Sequence, residues 1–224
     1  MSPKIGLILS KEQLRDDEVM KGFIINIRKA KNEDVIVTVL SNSKVESYWR
    51  FFGARHSILQ VGNLIDFEIE EDNGSFMPKL RRVSQVGFPW IFSQNRLFIW
   101  QNFIKLFELH FKDTNGIDAF YFDLLLDIAK KWERQSPKRL AVEAYLKILS
   151  YEGRLYDNGF CFICEEVLDS KIGLMRAYLP AHPSCIYALP LDKDDIFHLF
   201  NTKSTIHLDN DVIDELYIIL IKGL

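Results

Sequence analysis

All three cysteines of the chain lie in one short stretch, Cys161-Phe162-Ile163-Cys164 followed by His182-Pro183-Ser184-Cys185. The spacing Cys-x2-Cys-x17-His-x2-Cys falls in the zinc-ribbon range. Two knuckles, each offering two soft ligands across two intervening residues, can close a tetrahedron around one Zn²⁺. A closed four-ligand site is structural, because a catalytic zinc keeps a position open for water or substrate. Two other readings of the cysteines stay open from the residues alone. A free Cys packs like a small hydrophobe. A Cys-x-x-Cys pair can also be a redox couple, but that motif opens a helix in a βαβ unit, and here the pair sits between a helix end and a strand-like run. His110, His198 and His207 occur in apolar or cap contexts and are poorer ligand candidates than His182.

The chain has 224 residues, enough for one large or two small domains. Its 26% charged and 48% hydrophobic content is that of an ordinary globular protein, and 17 phenylalanines supply a sizeable core. A net charge of −3 excludes a protein that is basic throughout, so any nucleic-acid function must come from a local patch. Three cysteines do not make a disulfide framework and fit a reducing cytoplasm. The N-terminal apolar run Ile5-Gly6-Leu7-Ile8-Leu9 is too short for a signal peptide. No stretch reaches the ~20 apolar residues of a membrane span. A soluble cytoplasmic protein is expected.

Texture divides the chain into three parts. Residues 1–19 are expected to be an N-terminal extension, polar from Lys11 to Glu18. Residues 20–86 read as five short strands: one around Phe23 to Arg28, then Val35 to Val39, Val45 to Phe52, Leu64 to Glu70, and Ser75 to Val83. Turn residues separate them at Lys31-Asn32-Glu33-Asp34, Ser41-Asn42-Ser43, Gly62-Asn63 and Asp72-Asn73-Gly74. Five strands in so short a span suit a closed OB-fold barrel, with an SH3-like barrel as the alternative.

Residues 87–224 read as a helical domain. Helices are expected from Ser93 to Phe111, over 117–134, and from Ser136-Pro137 to Gly153, with serines as N-caps. Two more are expected from about Asp192 to Asn201 and from Asp209 or Asp211 to Lys222. The cysteine segment, about 158–188, is inserted between them, with Leu174 to Leu179 as its strand. The expected fold is α+β: an N-terminal five-stranded OB-fold barrel followed by an all-helical domain with an inserted zinc-ribbon-like segment.

Familiar catalytic motifs are missing from the sequence. There is no Gly-x4-Gly-Lys-[Ser/Thr] loop, no Gly-x-Gly-x-x-Gly, no His-Glu-x-x-His and no Gly-x-Ser-x-Gly. Paired acids such as Glu70-Glu71 and Asp194-Asp195 sit in turns or at helix starts, where solvated acid is the simpler explanation. A non-enzyme is favoured.

Charge is uneven. Residues 20–86 hold ten Lys/Arg against eight acids, a net +2 inside a chain of −3, which leaves −5 for the rest. The candidate DNA-binding residues are Lys29, Lys31, Arg50, Arg55, His56, Lys79, Arg81 and Arg82. Beside Trp49, Phe51 and Phe52 they can form a groove that holds phosphates and stacks bases.

The order of parts resembles the RecO family of bacterial recombination mediators from Met20 onward. The resemblance rests on Lys21-Gly22-Phe23-Ile24-Ile25, on Phe52-Gly53-Ala54-Arg55, on Glu143-Ala144-Tyr145-Leu146-Lys147-Ile148-Leu149 ahead of Gly153, and on the Cys-x2-Cys insertion. It implies an OB-fold, a helical domain and a zinc ribbon. It further implies binding of single- and double-stranded DNA, annealing of complementary strands, and work with RecR to load recombinase on strands coated by single-strand-binding protein (SSB). The SSB C-terminal tail is an implied partner. No membrane and no small-molecule substrate are expected, and the place is the nucleoid in the cytoplasm. Zinc-containing relatives commonly use four cysteines, whereas His182 is the third ligand here. Glu165-Glu166 after the first knuckle makes the ribbon a poor DNA surface, so DNA binding falls on the barrel. An RNA- or ribosome-associated OB/zinc-ribbon module is the alternative of a different class.

Overall fold

The computed structural model describes residues 19–71, 77–114 and 116–224. The expected extension up to residue 18, the turn at Asp72-Asn73-Gly74 and the first residues of the expected fifth strand lie outside the described residues. Five strands, β1 (Met20–Lys29), β2 (Val35–Ser41), β3 (Val45–Arg50), β4 (Leu64–Glu70) and β5 (Lys79–Val86), close a barrel in the order β1-β2-β3-β5-β4. All neighbours are antiparallel except β3 and β5, which meet in parallel at Trp49 and Lys79. This non-sequential closure is the OB-type Greek key.

β1 serves two cores. The pairing with β2 shifts register between Ile24 and Asn26, which leaves Ile25 as a bulge. Phe23, Ile24 and Ile25 are all fully buried, because both faces of the strand are covered here. Ile24 packs inside the barrel with Val37, Tyr48, Phe67 and Leu80, while Phe23 and Ile25 face the helices. Phe23 meets Trp100 and Phe122, each at 5.8 Å between ring centroids. The barrel's outer face and the helices therefore share one apolar core.

The helices are α1 (Gln94–His110), α2 (Ala119–Lys131), α3 (Pro137–Tyr151), the single turn α4 (Pro183–Ile186), α5 (Lys193–Thr202) and α6 (Asn210–Leu220). α3 is buried on almost every side, from Leu140 to Leu149. Trp90, Trp100 and Trp132 meet at 5.0 to 6.2 Å where the chain leaves the barrel. Ser93 and Ser136 stand at the N-cap positions of α1 and α3, but neither side chain makes a capping hydrogen bond. Asp118 and Asp192 cap α2 and α5 instead, accepting from the first free N–H groups.

Between α3 and α5 lies a small sheet of β6 (Lys171–Leu174), β7 (Pro180–Ala181) and β8 (Leu191–Asp192), in the order β7-β6-β8. The expected strand from Leu174 to Leu179 is corrected here. β6 ends at Leu174, and Arg176–Tyr178 is a 3₁₀ turn with Ala177 and Tyr178 at positive φ. The turn drives the Tyr178 ring into the helical core, where its hydroxyl donates to Leu216 O at 2.9 Å. That burial outweighs the strand preference of the alternating sequence. β3 likewise stops at Arg50 rather than Phe52, because Phe52 turns left-handed, with φ 50°.

Candidate metal centre and nucleic-acid face

The insertion begins with a hairpin. Leu168 N–H donates to Gly159 O at 3.0 Å and Cys161 N–H to Glu166 O at 2.8 Å, while Phe160 bridges Val167. Glu165 N–H returns to Cys161 O at 2.9 Å and closes the knuckle. Closing it forces Glu165 to φ 62°, the left-handed region that favours glycine. Phe162 N–H then donates to Pro180 O at 2.9 Å, which sets the hairpin against β7 and brings His182 alongside. α4 carries Cys185 back to the same point.

The three Sγ atoms and one His182 nitrogen lie within 4.8 Å of one another. Donors bonded to a single ion at ~2.0–2.3 Å stand roughly 3.5–4 Å apart, so the group has the dimensions of a metal site. Cys164 Sγ is 3.4 Å from His182 Nδ1. The opposite nitrogen, Nε2, is 3.1 Å from Val167 O, so it carries the proton and leaves Nδ1 free to ligate. Asp169 lies 3.8 Å from Nε2. Burial opposes ionisation of Cys161. Backbone N–H groups of Cys164, His182 and Ile163 outweigh it and lower the thiol pKa to about 6. Cys185 moves the other way, to about 11, through burial and the neighbouring sulfurs. The His182 pKa is raised, first by Val167 O. The four expected ligands are thus brought together, and they fit a metal ion. Val167 and Asp169 are partners that sequence reasoning missed. A backbone carbonyl leaves no signal in a sequence.

The second site is one end of the barrel. The register rows Lys29–Val35–Arg50 and Trp49–Lys79–Glu70 place the end of β1, the start of β2, the ends of β3 and β4 and the start of β5 side by side. Gly53 is buried there because a Cβ would come within 2.3 Å of Val35 Cγ2. Its 3₁₀ turn is tied to the β1–β2 turn by Ala54 N–H to Glu33 O at 2.9 Å. Asp34 organises the aromatic residues. Its carboxylate accepts from Trp49 Nε1 at 3.1 Å and from Phe52 N–H at 2.8 Å. Phe51 and Phe52 stay exposed. Arg55 stands 5.7 Å from the Phe52 ring, and Lys79 and Arg81 stand 5.8 and 6.0 Å from that of Phe51.

Most of these cations have acidic partners. Arg81 Nε donates to Glu70 at 2.5 Å, Lys79 reaches Glu70 at 3.5 Å, Arg82 pairs with Glu68 at 3.0 Å, and Arg55 pairs with Glu33. The Arg81 bond, ahead of burial, holds the Glu70 carboxyl below its ordinary range. Arg50 donates to Leu80 O at 2.9 Å, while its Nε is buried with no partner among the described residues. Burial, then the Arg81 charge, lowers its pKa. Lys29 and Lys31 are exposed and make no ion pair with described residues, and His56 is also exposed. Arg50, Arg81 and Arg82 line a cleft of about 550 Å³ together with Glu68, Glu70 and Glu71. Arg50, Arg81 and Arg82 share this cleft and Lys79 joins Arg81 at the Phe51 ring, but the cations are laced with acids. The sequence showed Glu68 and Glu70, yet not that strand pairing sets them against Arg81 and Lys79.

A third feature lies on the helices. Leu106, Leu109 and His110 of α1 face Ile221, Lys222 and Leu224 beyond α6 across a cavity of about 350 Å³, with Arg176 at its edge. Among the described residues, no helix is long and apolar enough to cross a membrane.

No curated protein matches the chain. Residues 20–91 match the family model described as RecO N terminal. The matched span holds the whole barrel and all but the last residue of the 3₁₀ turn Pro89–Phe92 that leads to α1. In this barrel domain the chain is similar to the N-terminal domain of the RecO family.

Proposed function

We propose that the chain is a non-catalytic recombination mediator that binds single- and double-stranded DNA, anneals complementary strands without ATP and helps load recombinase on SSB-coated DNA. The observation that carries this is the barrel end of the RecO-type domain. It sets Arg55 against the exposed ring of Phe52 and Lys79 and Arg81 against that of Phe51, and Lys29, Lys31, Arg50, His56 and Arg82 complete the proposed DNA-binding set. Cations there offset repulsion between two phosphate backbones and raise their encounter rate. Exposed rings offer stacking to unpaired bases.

The cysteine cluster takes one structural Zn²⁺, with Cys161, Cys164, His182 and Cys185 as ligands. Thiolate and imidazole suit that ion, and a full set of protein ligands leaves no open position. The SSB tail, acidic with an apolar tip, fits the groove between α1 and the end of α6. Leu106, Leu109 and Ile221 supply its apolar wall, and Lys222 and Arg176 its positive rim. RecR is the expected companion, and the cytoplasmic nucleoid the expected place.

The test uses complementary dye-labelled oligonucleotides precoated with the cognate SSB and mixed with protein in the absence of nucleotide. Wild type should accelerate the energy-transfer signal. Arg55→Glu should be slow while its melting curve stays normal. No acceleration at low salt, where phosphate pairing is strongest, overturns the mediator reading. Copurification with ribosomal components would then favour the RNA-binding alternative.

A further inference from the structure

The hairpin that carries Cys161 and Cys164 holds four apolar side chains in solvent. Phe160 and Val167 face each other across its bridge and are 43% and 66% exposed. Phe162 and Ile163 fill the two positions between the cysteines and are 46% and 51% exposed. A metal knuckle needs only the sulfurs from this segment, so nothing in the metal chemistry calls for Phe and Ile at its tip. Backbone hydrogen bonds across the hairpin hold the four side chains on one small, rigid unit. Grouped exposed apolar side chains with a polar rim mark an interaction surface.

The hairpin segment itself is acidic: residues 155–170 contain Asp157, Glu165, Glu166 and Asp169 and no Lys or Arg, and a neighbouring cation, Lys193, donates to Leu168 O at 3.2 Å. Such a surface repels phosphate and favours a partner that presents apolar side chains among cations. The barrel end of this same chain has that chemistry: Phe51 and Phe52 exposed, with Arg55 over the Phe52 ring and Lys29 and Lys31 beside them. Residues 20–86 sum to +2 and residues 155–170 to −4, so the two regions have opposite sign.

We propose that the cysteine hairpin of one copy docks on the aromatic, basic barrel end of a second copy. Reciprocal docking closes a twofold pair, and a single contact grows short chains. The surface is small, so association is weak and salt-sensitive. The barrel end is the DNA face of the proposed function, and the inference rests on that reading for one consequence: DNA and the second copy exclude each other.

The full-length protein is followed by sedimentation from about 1 to about 100 μM at low salt, a range that detects weak association. The average mass should climb above that of the monomer with concentration and fall back as salt is raised. Phe160→Ser with Val167→Ser keeps all four candidate ligands and should weaken association at least about tenfold, as loss of a central apolar contact does. Glu165→Lys with Glu166→Lys should do the same, and adding Arg55→Glu should restore part of it. The charge variant decides the matter should the apolar one fail to fold. A monomer at every concentration overturns the proposal, as does association untouched by both hairpin variants. A short single strand should dissolve the assembly. If the strand binds and the assembly persists, the shared face is wrong and DNA binding stands. If no strand binds while the assembly behaves as described, the DNA reading fails and the docking stands.

Discussion

The indole of Trp100 donates from Nε1 to the carbonyl of Gly62 at 2.8 Å, and this bond joins α1 to the loop that feeds β4. Trp100 is fully buried, and its ring sits where a Cβ on residue 62 would come within 2.7 Å. Gly62 also has φ 94°. The same loop bonds to β1 through Gly62 N–H to Ile24 O at 2.8 Å and Ile24 N–H to Asn63 O at 2.9 Å. One glycine thus adjoins both the barrel core and the helical core.

Trp100→Phe should keep most of the packing but leave Gly62 O without its buried donor, a loss of ~1–3 kcal/mol. Trp100→Ala should cost ~3–5 kcal/mol through the cavity it opens. Chemical denaturation of the two variants checks the order. Equal losses would mean that the ring's packing contributes nothing beyond the hydrogen bond.

The cysteine cluster should hold about one zinc per chain, with a folding role. Cys161→Ser should lose the metal and lower the melting temperature. His182→Ala should weaken retention, since it removes the only nitrogen donor of the set. Elemental analysis of unchelated protein reads the first outcome, and chelator competition the second. Full occupancy in His182→Ala would remove that residue from the ligand set while leaving the three sulfurs.

On the barrel end, acids compete with phosphate for the cations. Replacing Arg81 and Arg82 by Glu should weaken binding to every single-stranded sequence alike, because phosphate contacts carry no base information. Glu70→Gln should do the opposite. It releases Arg81 and Lys79 from their shared carboxylate and should tighten binding severalfold at low salt, with the gain fading as salt rises. Fluorescence anisotropy over a salt series reads both. A Glu70→Gln protein with unchanged affinity would place the strand elsewhere.

Glu152 should make the fold acid-sensitive. Its carboxylate is almost buried, a situation that raises a carboxyl pKa. Hydrogen bonds from His110, Arg154 and Tyr121 at 2.6 to 2.8 Å overcome this and lower it from 4.5 to about 2. A depressed folded-state pKa contributes stability above the unfolded value and loses it on acidification. The contribution is therefore complete above pH 4.5 and disappears as pH falls toward about 2. It amounts to a few kcal/mol, at ~1.4 kcal/mol per pKa unit. Glu152→Gln should be less stable at pH 7 and should show a flatter loss of stability between pH 5 and 3. Parallel stability curves for the two proteins would show that the network carries no such linkage.

Much was determined by local sequence. Alternating β-branched residues and short turns mark the five strands, and apolar spacing marks the helices, because both periodicities are properties of the backbone itself. The clustering of Cys161, Cys164, His182 and Cys185 was legible because a metal would need particular atoms at knuckle spacing. Tertiary structure decided the rest. The closing order of the barrel and the parallel meeting of Trp49 with Lys79 depend on pairing between distant strands, which no local pattern encodes. Helices cover the outer face of β1, so Phe23 and Ile25 enter one core and Ile24 the other, and an unbroken buried run hides the alternation. Burial of Tyr178 overrides a strand-like stretch, since placing its ring and hydroxyl in the core outweighs the propensity of a few residues. The acids against Arg81 and Lys79 come from register, and they decide how much of the basic face is available to a phosphate.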